Sequence, residues 1–300
     1  MMLLEAEKLR LEDSVSKYLS AFNNPKSNKI TIRDLLFHTS GFSMGYPRGS
    51  IDDYSNLGEA VADSAEKGPK YEPGTEYHYA DVDSAALGLI IKTVTGESPE
   101  DFISKKILEP LSMKDSYCLL EDGNPDRSRV CSTYLWKNGG YIKLWDNDDP
   151  PETPFFRCSG GMYGTAKDYA KFLNMWMHLG RAGENQLLKE ESIVTALKPG
   201  NLYDRYGMHW EIYHPSKSKD KLPVFGHGGS DGTLAMAIPE QNAMVFYFTQ
   251  SRGTLSTMFF EKLLLQELGY IKGKSFPDIT ISEKHMASYL GPYKLGKEVW

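Results

Sequence analysis

Four short apolar runs follow one another after Leu202, from Tyr206 to Tyr213, Leu222 to His227, Thr233 to Ile238 and Met244 to Thr249, with turn residues between them. Runs of this length, rich in aromatic and branched side chains and broken by Gly, Pro, Asn and Asp, read as consecutive strands. Pro239 to Asn242 supplies a hairpin connection between the last two. The first two thirds of the chain reads differently. Three segments there, Thr31/Asp34, Ser98/Asp101 and Thr165/Asp168, carry a hydroxyl residue followed three positions later by an acid, the pattern of a self-capped helix start. Pro99 then opens a segment with Ile103, Ile107 and Leu111 spaced by four, and Tyr169, Phe172, Leu173 and Trp176 make one stripe that stops at Gly180. A further helix is predicted from Asp83 to Thr95, with Leu87, Ile90, Ile91 and Val94 inward and Gly96 as a left-handed terminator. Helices first and strands later predict an α+β protein built on an antiparallel sheet.

Charge and composition remove several classes of function. The 300 residues carry 34 basic and 40 acidic side chains, a net charge of −6, with no Lys/Arg block to grip phosphates, so nucleic acid is not an expected partner. The longest apolar run, Ala243 to Phe248, is far short of the roughly 20 residues that span a bilayer. The opening MMLLEAEKLRLED places Glu5 and Glu7 directly after its apolar residues and reads as a helix, not a signal peptide; no other segment points to a cellular location. Cys118, Cys131 and Cys158 are odd in number and lack CxxC spacing, so they read as buried or incidental thiols. Seven histidines without HExxH or another tight ligand spacing imply no metal, and no cofactor motif is present. No repeat or Pro/Gly-rich linker interrupts the chain before about 274, which predicts one main domain over 1–274 and a linker with the start of a β-rich piece over 275–300.

Several short motifs match catalytic patterns by letter. Gly41-Phe42-Ser43-Met44-Gly45 is a literal GxSxG, but helix signals precede it and Pro47 and Gly49 follow where the required helix would begin. SxxK occurs at Ser14/Lys17 and Ser216/Lys219, the second in the polar stretch HPSKSKDK; both read as chance matches with solvated lysines. His38 follows a helix and reads as a structural hydrogen-bonding residue. His227 ends a strand and enters Gly228-Gly229-Ser230-Asp231-Gly232, which is either a tight turn or a place where bare backbone approaches a ligand. Tyr79, after Pro73-Gly74-Thr75 and before a helix that Asp81 or Asp83 would cap, either packs with its hydroxyl partnered or serves as a general base if a cation lowers its pKa.

Six segments in order, LRLEDSVSKYL, ITIRDLLFHTSGF, EPGTEYHYADVDSAALGLIIKTVTG, FISKKILEPLSM, SGGMYGTAKDYAKFL and FGHGGSDGTLAMAIPE, resemble the serine β-lactamase and penicillin-binding-protein-like hydrolases, in particular the class C-like branch with its esterases and D-amino-acid peptidases. The resemblance implies a serine β-lactamase-like fold, an antiparallel sheet flanked by helices plus a helical subdomain, with the site between them. The family's Tyr-x-Asn motif resembles Tyr79-Ala80-Asp81, where Asp keeps an acceptor and loses the amide donor. Tyr54-Ser55-Asn56 is a literal match that lacks the preceding Pro-Gly-Thr. The Lys-Thr-Gly or His-x-Gly strand resembles His227-Gly228-Gly229, which implies that the Ser230 backbone N–H is half of an oxyanion hole and that His227 orients or polarises the Tyr79 hydroxyl.

The family's nucleophilic SxxK is the departure: by the resemblance it belongs just before Met1. Ser14 cannot replace it, since it falls after the helix that the motif opens. The expectation is therefore an N-terminally truncated domain with an uncovered sheet edge and no nucleophile in the expected position. The function implied is hydrolysis of small ester, amide or peptide-like bonds through an acyl-enzyme, with weak or no activity in this chain. The alternatives are a binding or regulatory pseudoenzyme that keeps the cleft, and an α/β-hydrolase using Ser43. Oligomeric state leaves no mark in the sequence.

Overall fold

The computed structural model describes residues 1–120, 124–146, 155–216 and 221–273, and the backbone of 294–295 and 298–299. The helices are α1 (Met2–Glu5), α2 (Ile32–Leu36), α3 (Leu57–Lys67), α4 (Asp81–Thr95), α5 (Pro99–Ile103), α6 (Ala166–Met177), α7 (Glu190–Ala196) and α8 (Ser256–Glu267). The strands are β1 (Thr133–Lys137), β2 (Gly140–Trp145), β3 (Arg181–Ala182), β4 (Asn185–Gln186), β5 (Glu211–His214), β6 (Val224–Gly229), β7 (Thr233–Ile238), β8 (Ala243–Phe248), β9 (Ser251–Arg252), β10 (Lys294–Leu295) and β11 (Glu298–Val299). The chain divides into two compact units, Met1–Phe260 and Glu261–Trp300. The second holds the end of α8 and the antiparallel β10–β11 pair; the rest of the tail expected to be a linker lies outside the described residues.

The helix-start patterns form as the spacing requires. Thr31 Oγ1 accepts from the Asp34 amide at 3.2 Å and Asp34 Oδ2 accepts from the Thr31 amide at 2.9 Å, a complete capping box at α2. Ser98 and Thr165 accept from the amides of Asp101 and Asp168 at 3.1 and 3.2 Å. The Asp168 carboxylate does not return the bond; it accepts from the Asp115 amide at 2.6 Å and the Lys171 ammonium at 2.7 Å, tying α6 to the segment before it. Past Ile103, α5 widens into a π-helical turn over Ser104–Leu108. Two expectations need correction. The N-terminal segment is one helical turn, because Glu7 takes a φ of 55° and ends it. The helix expected from Asp83 begins at Asp81 with Ala80 at its N-cap, so neither aspartate caps it, while Gly96 does close it at φ 76°.

The predicted strand from Tyr206 to Tyr213 shrinks to β5, because His209 at φ 57° interrupts the run; the other three form, in the order β5-β6-β7-β8, each antiparallel to its neighbour. The pairings Phe225↔Ala237 and His227↔Ala235 put the aromatic, the histidine and two small residues on one face. That face packs on Leu173 and Trp176 of α6 and Ile193 of α7 in one apolar cluster. The other cluster gathers Phe22, Ile30 and Leu35 with Ala60 and Val61 of α3 and Ala86 and Ile90 of α4, the helical half of the unit. Leu36 packs against both clusters. On the far side of the sheet, Tyr247 stacks on Phe260 of α8 at 4.3 Å. β8 is an edge strand whose six residues are half-buried or exposed.

A smaller sheet of order β2-β1-β9 was not foreseen. Its strands carry exposed Trp136, Tyr141, Ile142 and Leu144, so they lack the polar alternation that marks a strand in sequence, and β9 joins β1 in parallel from far along the chain. Among the described residues no helix is long and apolar enough to cross a membrane.

Candidate active site

Tyr79 owes its position to the backbone of residues 38–41, where His38 adopts φ 53° and Gly41 φ 81°. The His78 amide donates to the His38 carbonyl at 2.8 Å, and the amides of Lys70 and Tyr71 donate to the Gly41 carbonyl at 2.8 and 3.0 Å. A side chain at Gly41 would meet the Tyr71 carbonyl at 2.1 Å, so only glycine permits this approach. The Tyr79 ring then stacks obliquely on His38, 4.3 Å between centroids, and its hydroxyl has no hydrogen-bond partner among the described residues.

His227 reaches the same place from β6. Its ring centroid lies 6.0 Å from that of Tyr79, so two residues singled out far apart in the sequence do come together. No hydrogen bond joins the two side chains in this structure. His227 Nδ1 donates to the Gly228 carbonyl at 2.7 Å, which leaves Nε2 as an acceptor, and that nitrogen takes the Tyr206 hydroxyl at 3.2 Å. Tyr206 was not foreseen, since nothing marks a buried tyrosine at the start of a strand-like run as a partner for a histidine. Gly228, Gly229 and Ser230 are exposed at the β6–β7 turn. Arg252 of β9 braces the turn, donating to Asp231 Oδ1 at 2.7 Å and to Ser230 Oγ at 3.3 Å. A Cβ at Gly228 would meet nothing nearer than the Thr233 carbonyl at 3.6 Å, so the sheet itself does not demand glycine there.

The electrostatics favour Tyr79 as a donor, not a base. Burial pushes its hydroxyl up to about 12, and the nearby carboxyl groups of Asp81, Glu211 and Asp83 all work in the same direction. Asp81, the first residue of α4 and half-buried, is likewise raised by burial, against the pull of Arg157. Behind Tyr79 the His38 ring also lies 5.2 Å from Tyr206 and 4.7 Å from His209. His38 is structural, as expected, but its partner is Asp83, at 2.8 Å with both side chains fully buried.

The literal motifs lie elsewhere. Ser14 Oγ donates to the Asn28 carbonyl at 2.9 Å while Lys17 pairs with Asp13 at 3.0 Å, so this SxxK is not a coupled pair. Ser216 donates to Glu240 at 3.2 Å, and Lys219 lies outside the described residues. Ser43 is exposed in an irregular segment with neither a strand directly before it nor a helix directly after it. The three cysteines are free, and among the described residues no three His, Cys, Asp or Glu side chains group closely enough to hold a metal ion.

Comparison with known proteins agrees with this architecture. The chain is 27% identical over 93% of its length to Penicillin-binding protein 4 of Amycolatopsis lactamdurans, of which it spans 75%; it spans 62% of a 25% identical relative from Escherichia coli strain K12. In structure it is similar to the octameric penicillin-binding protein homologue from Pyrococcus abyssi, with a TM-score of 0.72 and 27% identity over 92% of this chain and 64% of that one. A class C beta-lactamase, 16% identical, shares the fold at a TM-score of 0.69 over 91% of this chain and 78% of its own. The family model described as Beta-lactamase matches residues 1–269, from the first helical turn through the whole sheet, and the chain belongs to that family.

Proposed function

We propose that the edge formed by Tyr79, Asp81, His227, Gly228, Gly229 and Ser230 receives the carbonyl of a small ester, amide or peptide-like substrate. The observation that carries this reading is the Tyr79 hydroxyl: protonated, without a partner in the described residues, on a ring 6.0 Å from that of His227, whose next three residues are exposed. A neutral hydroxyl and nearby backbone N–H groups are the donors that a carbonyl oxygen calls for as it gains charge. The Beta-lactamase family membership supports serine-hydrolase chemistry on amide or ester bonds. In that route a serine attacks the carbonyl carbon, its proton passes to a base, and water later releases the acyl group.

The serine for that attack is not Ser14, Ser43 or Ser216 in this reading, because Ser14 and Ser216 bond to other groups and Ser43 is exposed in an irregular segment. Covalent turnover at this edge by the 300-residue chain is accordingly weak or nil. The same observation favours a second reading, a binding or regulatory protein that holds such substrates without cleaving them. The test is peptide-mapped mass spectrometry of the chain after incubation with a long-chain fluorophosphonate, beside ester hydrolysis assays. Unmodified Ser14, Ser43 and Ser216 with slow hydrolysis are expected. A stoichiometric adduct on any of the three overturns the assignment, and Tyr79→Phe then decides whether the reaction uses this edge.

A further inference from the structure

The α4 helix carries a second arrangement of catalytic type that the Tyr79–His227 edge does not use. Hydroxyls within helices ordinarily fold back on the carbonyl four residues earlier. Ser64, Thr93 and Thr95 do so here, at 2.8, 3.0 and 2.7 Å. Ser84 does not; its hydroxyl turns to His209 Nδ1 at 3.4 Å. On the other side of the ring, His209 Nε2 lies 3.2 Å from the Leu35 carbonyl, which only accepts, so Nε2 carries the proton and Nδ1 presents a lone pair to Ser84. A serine, a base and a group that orients the base are the elements of an activated nucleophile. The contact is longer than the about 2.6–3.2 Å of a working pair, as such contacts are before substrate binds.

His209 is held at φ 57°, a region that a non-glycine residue occupies at a cost. Serine and histidine together line a cavity of about 180 Å³ whose other walls include Leu87, Ile103, Phe156 and Cys158. The lining is apolar except at the Ser84–His209 end. Burial, with His38 and His227 adding to it, lowers the His209 pKa well below the ordinary value, so the ring is neutral and Nδ1 is unprotonated. Cys158, whose thiol burial pushes up, donates to the Phe156 carbonyl at 3.9 Å, whereas Ser84 has a base beside it.

We infer that Ser84, with His209 as its general base, is an acyl-accepting site for short-chain activated esters, distinct from the Tyr79–His227 edge. In the reaction Ser84 Oγ bonds to the ester carbonyl carbon and its proton moves to His209 Nδ1. The bond from that carbon to the leaving oxygen breaks, and the leaving group takes the proton from Nδ1. The acyl group remains on Ser84 as an ester until a water gives a proton to the same nitrogen and bonds to the acyl carbon; the bond from that carbon to Ser84 Oγ then breaks, Oγ takes the proton back from Nδ1, and the acid leaves.

The test is peptide-mapped mass spectrometry of the intact chain after brief exposure to p-nitrophenyl acetate. One acetyl group on Ser84 is expected, absent in Ser84→Ala and unchanged in Ser43→Ala. His209→Asn, a substitution that tolerates φ 57°, is expected to slow acetylation about a hundredfold by removing the base. The corresponding decanoate, too long for the cavity, is expected to leave Ser84 unmodified. Acetylation of Cys158 in place of Ser84, or an unmodified Ser84 in the wild-type chain, overturns the inference without any variant having to fold. An undiminished rate in a His209→Asn protein that retains its tryptophan fluorescence overturns it as well. Because the readout is the modified residue, failure at Ser84 leaves the reading of the Tyr79 edge untouched, and the reverse holds too.

Discussion

Replacing Asp83 by asparagine probes the protonation state at the centre of the fold. Asp83 Oδ2 stands 2.8 Å from His38 Nδ1 with both side chains fully buried. The Ala80 amide approaches the same nitrogen at 3.4 Å and can only donate, so Nδ1 is an acceptor and the proton in the short contact belongs to Asp83. Burial favours this neutral pair at both ends. It raises the Asp83 carboxyl well above the usual carboxylate range, with Asp34 and Asp81 adding to the rise against the pull of Ser40, and it lowers His38 to about 3, helped by His227. In the unfolded chain an aspartate ionises near pH 3.9, so folding at neutral pH takes up a proton, at about 1.4 kcal/mol for each pH unit above that point. Some three units give roughly 4 kcal/mol as the upper limit at pH 7.

The asparagine side chain is isosteric with the neutral acid, would donate to Nδ1 through its amide, and has no proton to take up. A group whose folded pKa is raised contributes stability that is present at low pH and lost as pH rises toward the folded value. Asp83→Asn is therefore expected to equal or exceed wild-type stability at neutral pH, with an advantage that grows as pH rises from about 3.9, the unfolded value, toward the raised folded value. The His38 contribution, lost as pH falls from 6.5 toward about 3, is common to both proteins and cancels. Urea unfolding followed by tryptophan fluorescence across that range measures the difference. An ion pair would behave in the opposite way: losing the carboxylate beside a buried imidazolium costs about 3–5 kcal/mol. A loss of that size at every pH refutes the neutral pair.

Two glycines of β6 separate stability from function. A Cβ at Gly226 would lie 2.0 Å from the Ala235 carbonyl, so Gly226→Ala is expected to cost about 1–3 kcal/mol or more in thermal unfolding. Gly228→Ala, with nothing nearer than 3.6 Å, is expected to stay within about 0.5 kcal/mol of wild type while weakening carbonyl ligands. Thr165→Ala removes the acceptor of the Asp168 amide at the start of α6 and is expected to cost about 1 kcal/mol in the same assay. Tyr206→Phe takes away the hydroxyl that donates to His227, with an expected loss of about 1 kcal/mol and a displaced nitrogen-15 signal of His227 Nε2; an unmoved signal would show that the bond is not made.

The central strands were legible because each is a short apolar run with turn residues beside it, and α4 because Gly96 marks its stop. The β1–β2 hairpin was not, since exposed Trp136, Tyr141 and Ile142 erase the polar face that periodicity needs. Tyr79 and His227 were legible through resemblance to a family, which fixes their order along the chain but not their contacts. His227 was expected to orient or polarise the Tyr79 hydroxyl; the fold adds a buried Tyr206 whose hydroxyl bonds to its Nε2. Asp83 read as a helix cap because an acid at a helix start is ordinarily a cap, and only the fold reveals that it is turned inward to His38. Ser84 and His209 carried no signal at all, being 125 positions apart in segments that read as plain helix and strand.

The most direct measurement of the proposed edge is NMR of the chain with carbon-13 at the tyrosine ζ position, the Tyr79 signal assigned by its loss in Tyr79→Phe, during titration with a small β-lactam. A hydroxyl that donates to the ligand carbonyl predicts a saturable shift at Tyr79, with smaller changes at Tyr77 and Tyr206, whose rings pack on its neighbour His38. A Tyr79 signal that stays in place while the ligand binds elsewhere, or fails to bind at any concentration, contradicts the proposal that this edge receives the substrate carbonyl.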